Sequence, residues 1–212
     1  MKKLNLGCGE DYRADCVNLD ILDNVKKDVK HDLNIYPWPF DDNEFDVVYC
    51  IDVLEHLEKP AKAVEEMHRI CKNNAKIIIR SPHFSSQVAH VDLQHVKSFS
   101  VQVFNDYSGK GGHSYETNVV FNILVNKILF LKGYKYFWNY LVERLVNLSN
   151  FTKNAYETTF LWSLFPAQND LFRAEGDKMI RIQREQEVLF HTIKCCSETS
   201  KQAIYSFRVV SH

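Results

Sequence analysis

No Cys-X-X-Cys pair occurs in this chain of 212 residues, and its six cysteines, Cys8, Cys16, Cys50, Cys71, Cys195 and Cys196, keep no metal-ligand spacing. That pattern argues against a cysteine-built zinc site and against a disulfide scaffold. The cysteines read as reduced, mostly buried small apolar residues of a cytoplasmic protein. Also missing is any apolar run long enough to span a bilayer, and an apolar strand pattern begins almost at Met1, which predicts no secretory leader. Charge of one sign is not in surplus: the net value is −1, with acids and bases interspersed. A nucleic acid held by general electrostatic attraction is therefore not expected as a partner. Internal repeats and low-complexity tracts are absent. What remains is a chain long enough for one domain with a two-sided buried sheet, or for a core with a modest cap.

The most informative residues come first. Lys3-Leu4-Asn5-Leu6-Gly7-Cys8-Gly9 runs from an alternating apolar strand into a glycine turn, and Val17-Asn18-Leu19-Asp20 brings a second strand to an acid. In an open parallel sheet, ligands sit in the crevice beyond the carboxyl ends of the strands. A carboxylate there can accept both hydroxyls of a ribose, while a turn without side chains lets a ligand approach the backbone. A dinucleotide fingerprint fits less well. Its third glycine falls at Tyr12, and the acid follows Gly9 by only 11 residues, against roughly twenty expected.

Further segments follow in order: Val29-Lys30-His31-Asp32-Leu33, then Pro37-Trp38-Pro39-Phe40, then Phe45-Asp46-Val47-Val48-Tyr49-Cys50-Ile51-Asp52-Val53-Leu54-Glu55-His56-Leu57, and Ile77-Ile78-Ile79-Arg80-Ser81-Pro82. Over residues 3–82 this set resembles the small class I S-adenosylmethionine-dependent methyltransferases of type 11, whose chain opens directly on the first strand. Weaker resemblances to glycan and natural-product cluster members lie in Asp92-Leu93-Gln94-His95 and in Tyr156-Glu157 followed by Phe165-Pro166-Ala167.

The resemblance implies S-adenosylmethionine as cofactor and S-adenosylhomocysteine as product. It places Gly7, Cys8 and Gly9 along the methionine part of the cofactor, with Asn5 in a slot more often held by Asp or Glu. Asp20, with Ile21 beside it, matches the ribose acid, and Asp32 and Leu33 match the pair at the adenine. Cys50, Ile51 and Asp52 match the positions facing the sulfonium and the substrate mouth. The short gap from Gly9 to Asp20 predicts a first helix of at most two turns.

Strands are expected near 3–7, 16–20, 28–31, 45–51 and 75–80, with a helix over 60–73 that opens at Pro60 and carries Ala63, Val64, Met67, Ile70 and Cys71 on one side. This alternation argues for an α/β fold with a parallel sheet covered by helices. The family resemblance sharpens it to a Rossmann-like sandwich, a mostly parallel seven-stranded sheet with an antiparallel C-terminal strand, helices on both faces and a helical lid. We read residues 1–212 as one domain. Its cofactor-binding half is 1–82. Residues 83–118, with the breaker Gly109-Lys110-Gly111-Gly112, and the aromatic helical stretch 136–175 are its substrate-cap segments. A sixth strand falls in 119–131, and residues 187–210 form a hairpin at the sheet edge.

Methyl transfer from a sulfonium is an in-line displacement on carbon, so the main task of an enzyme is alignment. Near-attack geometry can supply roughly 7–11 kcal/mol, and a positioned general base adds about two to four orders of magnitude when the acceptor is a hydroxyl. Histidine, with an ordinary pKa of about 6.5, suits that role. His83, directly after Ser81-Pro82, is expected at the mouth of the cleft. Asp92 and His95 can share a helical turn, the acid orienting the imidazole. His90, Tyr156 and Glu157 are candidates for contacting a polar acceptor, and His56 reads as fixing the turn after the fourth strand.

His90, Asp92 and His95 with His83 match no strong ligand motif, so no metal is expected. The place where nucleobase amine methylases carry an Asn/Asp-Pro-Pro-aromatic turn reads Cys50-Ile51-Asp52-Val53. A hydroxyl on a sugar, a glycan or another small polar molecule fits best as acceptor. The alternative is a non-catalytic scaffold that keeps the fold and binds a partner. Aromatics such as Tyr136, Phe137, Trp138, Tyr140, Phe160, Trp162 and Phe165 read as core, and an exposed subset would make a homodimer face.

Overall fold

The computed structural model describes residues 1–108, 119–130, 138–159, 169–173 and 206–209. The loop expected at 109–112, the aromatics Tyr136, Phe137, Phe160, Trp162 and Phe165, Cys195 and Cys196, and the first arm of the 187–210 hairpin lie outside these residues.

Among the described residues eight strands form one sheet: β1 (Lys3–Leu6), β2 (Val17–Asp20), β3 (Val29–Lys30), β4 (Phe45–Ile51), β5 (Cys71–Pro82), β6 (Phe121–Leu129), β7 (Asn169–Arg173) and β8 (Ser206–Val209). The first five pair in parallel in the order β3-β2-β1-β4-β5. The reason is in the side chains. Leu4, Leu6, Leu19, Val48, Ile77 and Ile79 are fully buried, as strands of a covered parallel sheet are.

The far edge is built differently from the sequence expectation. β7 pairs antiparallel with Ile78 to Pro82 of β5, while β8 pairs antiparallel with its Asn73 to Ile77. Both also run antiparallel to β6. The two short strands therefore lie end to end in a single lane between β5 and β6, so that eight strands occupy seven positions. Residues 206–209 lie in the interior of the sheet and not at its edge. The reading of 136–175 as helical holds for α3 (Trp138–Val146) and α4 (Asn150–Thr158) and fails at Asn169–Arg173, where backbone pairing with β5 and β6 outweighs local propensity.

The helix expected over 60–73 is α1 (Pro60–Ile70). Pro60 suits the first turn because its missing N–H would have no partner there, and Ala63, Val64, Met67 and Ile70 are buried beneath the helix. It ends three residues early because Cys71 is drawn into the sheet opposite Phe45. Ser149 opens α4 with a reciprocal cap, accepting from the Thr152 N–H at 3.1 Å while Thr152 Oγ1 accepts from the Ser149 N–H at 2.9 Å. A four-residue helix, α2 (Val88–Val91), lies in the segment after β5.

The short helix expected between Gly9 and Asp20 is replaced by turns. Side-chain amides compete with helical hydrogen bonds there. Asn5 donates to the Asp11 carbonyl at 2.7 Å, Asn18 donates to the Arg13 carbonyl at 2.9 Å, and Asn18 Oδ1 accepts from the Arg13 N–H at 2.9 Å.

Candidate active site

The glycine turn closes β1 in a left-handed conformation, with φ of +55° at Gly7 and +48° at Gly9. Gly7 is there because of packing: a Cβ would come within 2.6 Å of Val53 Cγ2. Gly9 is different, since a Cβ there would meet nothing within 4 Å. Its bare backbone borders open space, which is what close approach of a ligand needs. Asp20 ends β2 beside it, nearly buried. One carboxylate oxygen accepts from the Gly9 N–H at 2.7 Å and the other from the Leu22 N–H at 2.8 Å. Each oxygen keeps a second lone pair for a hydroxyl.

Other expected cofactor positions divide. Cys8 is buried, its thiol 3.5 Å from the Lys26 carbonyl, and burial raises its pKa. Asn5 is buried and spends its amide on Asp11 and Asn18, which makes it a brace for the glycine loop. Ile21 is half-exposed. Asp32 caps its own turn by accepting from the Asn34 N–H at 2.9 Å. Leu33 is buried, and its carbonyl accepts from the Trp38 indole at 3.1 Å. Trp38 is in turn held by Glu66 of α1, which accepts from its backbone N–H at 2.9 Å.

Beyond β4 the backbone turns sharply at Asp52, whose φ is +54°. Its carboxylate pairs with Arg80 at the end of β5 through both Nε and Nη2. Burial outweighs the guanidinium and raises the Asp52 carboxyl above its ordinary range. Cys50 is fully buried, and Ile51 is partly buried. Three residues past Asp52 lies an acid that sequence reasoning overlooked. Glu55 is 1% exposed in the 3-10 turn Leu54–His56, and burial, with Asp52 adding to it, pushes its carboxyl up to about 8. Its Oε2 accepts from the Ser81 hydroxyl at 3.0 Å. Its sequence signal was slight: one acid between Leu54 and Leu57.

The histidines fall into two groups. His83 is 0% exposed, with Nδ1 2.8 Å from Ser85 Oγ and Nε2 3.2 Å from Glu157 Oε1. Burial lowers its pKa, and Glu157 opposes that shift. Glu157 also accepts from the Ser100 hydroxyl and the Val101 N–H at 2.8 Å, and the buried Tyr156 hydroxyl reaches Ser85 at 3.3 Å. His83, Tyr156 and Glu157 are thus brought together as a latch between the end of β5 and α4, apart from Asp92 and His95. His95 Nε2 lies 3.8 Å from Asp92 Oδ2, and its ring stands edge-on to His56 with centroids 4.7 Å apart. Burial lowers the pKa of His56, and His95 adds to that. His90 is exposed and meets the Phe84 carbonyl at 2.8 Å.

Residues 4–79 match the methyltransferase domain family. A stretch of 64 residues is 45% identical to an uncharacterised protein of Methanocaldococcus jannaschii; it covers 30% of this chain and 28% of that relative, so little more than a quarter of the relative's length is matched. Among solved structures, a candidate methyltransferase of Bacillus halodurans C-125 superimposes with a TM-score of 0.51 at 15% identity, over 80% of this chain and 87% of that one. An S-adenosylmethionine-dependent methyltransferase from Archaeoglobus fulgidus gives 0.47 at 18% identity, over 80% and 83%. The Bacillus likeness shows a shared fold. No helix among the described residues is long and apolar enough to cross a membrane.

Proposed function

Because this chain carries a class I S-adenosylmethionine-dependent methyltransferase domain, we propose that it transfers the methyl group of S-adenosylmethionine to a hydroxyl of a small polar acceptor such as a sugar or glycan. The observation that carries the reading is the pairing of Gly9, with open space where a side chain would stand, and the Asp20 carboxylate hydrogen-bonded to it. These residues fit the cofactor: Asp20 would take the ribose hydroxyls through its free lone pairs, the Gly7–Gly9 backbone would lie along the methionine portion, and Asp32 and Leu33 would hold the adenine. When bound, the cofactor supplies an electrophilic methyl group on a sulfonium.

The remaining task, removing the acceptor proton, falls to groups beyond β4. His83 is poorly suited, because both of its ring nitrogens are engaged and it is buried. The His95 imidazole, whose Nε2 lies 3.8 Å from Asp92 Oδ2 and so outside hydrogen-bond range, is the better candidate. His90 is the exposed member of the expected acceptor contacts, whereas Tyr156 and Glu157 are spent on Ser85, His83, Ser100 and Val101. We place the reaction in the cytoplasm, in keeping with the free, buried Cys8, Cys16, Cys50 and Cys71. We assign a homodimer contact to the apolar face of α3, where Trp138, Leu141 and Leu145 are exposed.

The test is turnover of labelled cofactor with a panel of sugar nucleotides, glycolipids and phenolics. Methylation of a hydroxyl acceptor supports the reading; turnover confined to protein or RNA sinks it.

A further inference from the structure

Glu55, His56 and His95 converge beyond the carboxyl ends of β4 and β5. One ligand atom from each lies within 4.8 Å of the other two. Two details of their bonding point to something that would sit among them. Glu55 Oε1 is buried and has no hydrogen-bond partner among the described residues, although Oε2 is satisfied by Ser81. Leaving a buried polar atom unpartnered costs about 1–3 kcal/mol, and native structures leave few such atoms without a reason.

The histidines are also held from behind. His95 Nδ1 donates to the Ala89 carbonyl at 3.4 Å, so Nε2 is the nitrogen left for a ligand. His56 has the Gln94 backbone as a hydrogen-bond partner of its own. A ring nitrogen committed to a backbone carbonyl is the arrangement that orients metal-bound imidazoles.

We propose that Glu55, His56 and His95 form a binding site for a divalent transition-metal ion. Two imidazoles and one carboxylate suit zinc, manganese, iron or cobalt better than magnesium or calcium, which prefer all-oxygen shells. Ligand bonds of about 2.0–2.2 Å require the three atoms to draw closer than they stand here, by side-chain rotation of about an ångström. The backbone ties the two segments together, since the Val96 and Lys97 N–H groups both donate to the Glu55 carbonyl at 2.9 and 3.2 Å. Three protein ligands leave coordination positions open. Asp92 lies 3.8 Å from His95 Nε2, and Asp52, paired with Arg80, is close enough to Glu55 to raise its carboxyl further.

The site adjoins the cofactor turn, because Val53, two residues before Glu55, packs against Gly7. An acceptor hydroxyl bound at an open position would lose its proton to solvent near neutral pH, with the cation in place of His95 as the activating group. That role rests on the methyltransferase reading; the cation site does not.

Cobalt(II) titrated into the full chain, followed by visible absorption and displaced by zinc, tests the site. The expected result is one saturable equivalent, weakened by more than about 100-fold, the upper end of the loss seen when only an outer-shell partner is removed, in both His95→Ala and Glu55→Gln. His31→Ala, a histidine remote in sequence from the cluster, should bind as the unaltered chain does. Circular dichroism melts show whether each variant is folded, and the near-isosteric Glu55→Gln serves if His95→Ala is not. Absence of a saturable equivalent, or equal affinity in a folded variant, overturns the proposal. S-adenosylhomocysteine binding is read separately: its absence beside intact cobalt binding overturns the methyltransferase function and leaves the cation site standing.

Discussion

Two histidine–carboxylate clusters stand at the top of this sheet, made of the same residue types and wired in opposite ways. In the first, both ring nitrogens of His83 meet side chains, and Glu157 accepts from His83, Ser100 and Val101. In the second, the backbone takes one nitrogen of His95 while Glu55 keeps an oxygen with no partner. A saturated cluster fixes structure, and an unsaturated one invites a ligand. Residue type and sequence position put His83 and His95 forward alike. Hydrogen-bond accounting favours the second group.

The difference is sharpest in stability. Glu157→Ala removes the acceptor for three neighbours and should cost about 3 kcal/mol or more in denaturant unfolding, while leaving cobalt binding to Glu55, His56 and His95 unchanged. A loss under about 1 kcal/mol would dissolve the distinction between the clusters.

A second difference appears in pH dependence. His83 titrates lower in the fold than its unfolded value of about 6.5, because burial disfavours the imidazolium. Below about pH 6.5 the unfolded chain therefore binds the proton first. The contribution is complete above that pH and is lost as pH falls through it toward the lower folded value. Thermal melts between pH 7.5 and about 5 should show this decline, and His83→Gln should flatten it. An identical slope in the variant would assign the dependence to other groups.

The smallest effect concerns the glycine turn. Gly9→Ala meets no steric obstacle but takes on a left-handed φ of +48°, for a cost of about 1 kcal/mol. A chemical melt measures that cost, and a loss of several kcal/mol would mean that Gly9 is packed rather than open.

Much of the cofactor half was legible in the sequence because its signals are local. Leu4 and Leu6 alternate into Gly7, and Val17 and Leu19 lead to Asp20, so strand, turn and acid can be read within a few residues. The chain beyond Pro82 was not legible in the same way. Asn169-Asp170-Leu171-Phe172-Arg173 has two apolar residues and becomes a strand only through pairing with β5 and β6. The lane it shares with β8 is interrupted by residues 174–205, so no continuous pattern marks it. Glu55 escaped notice because its burial comes from Ser81 and from the segment around Val96, contacts distant in the chain. Asn5 lay in the expected position, yet only the structure shows its amide spent on Asp11 and Asn18.

The central claim is that the Gly9 turn and Asp20 hold S-adenosylmethionine. Calorimetry with S-adenosylmethionine and S-adenosylhomocysteine on the purified chain, with Asp20→Ala beside it, tests that claim directly. The account predicts binding of both ligands at about micromolar affinity, near −8 kcal/mol, and its loss in the variant. Absence of binding by the unaltered chain, or binding that survives Asp20→Ala undiminished, would contradict it.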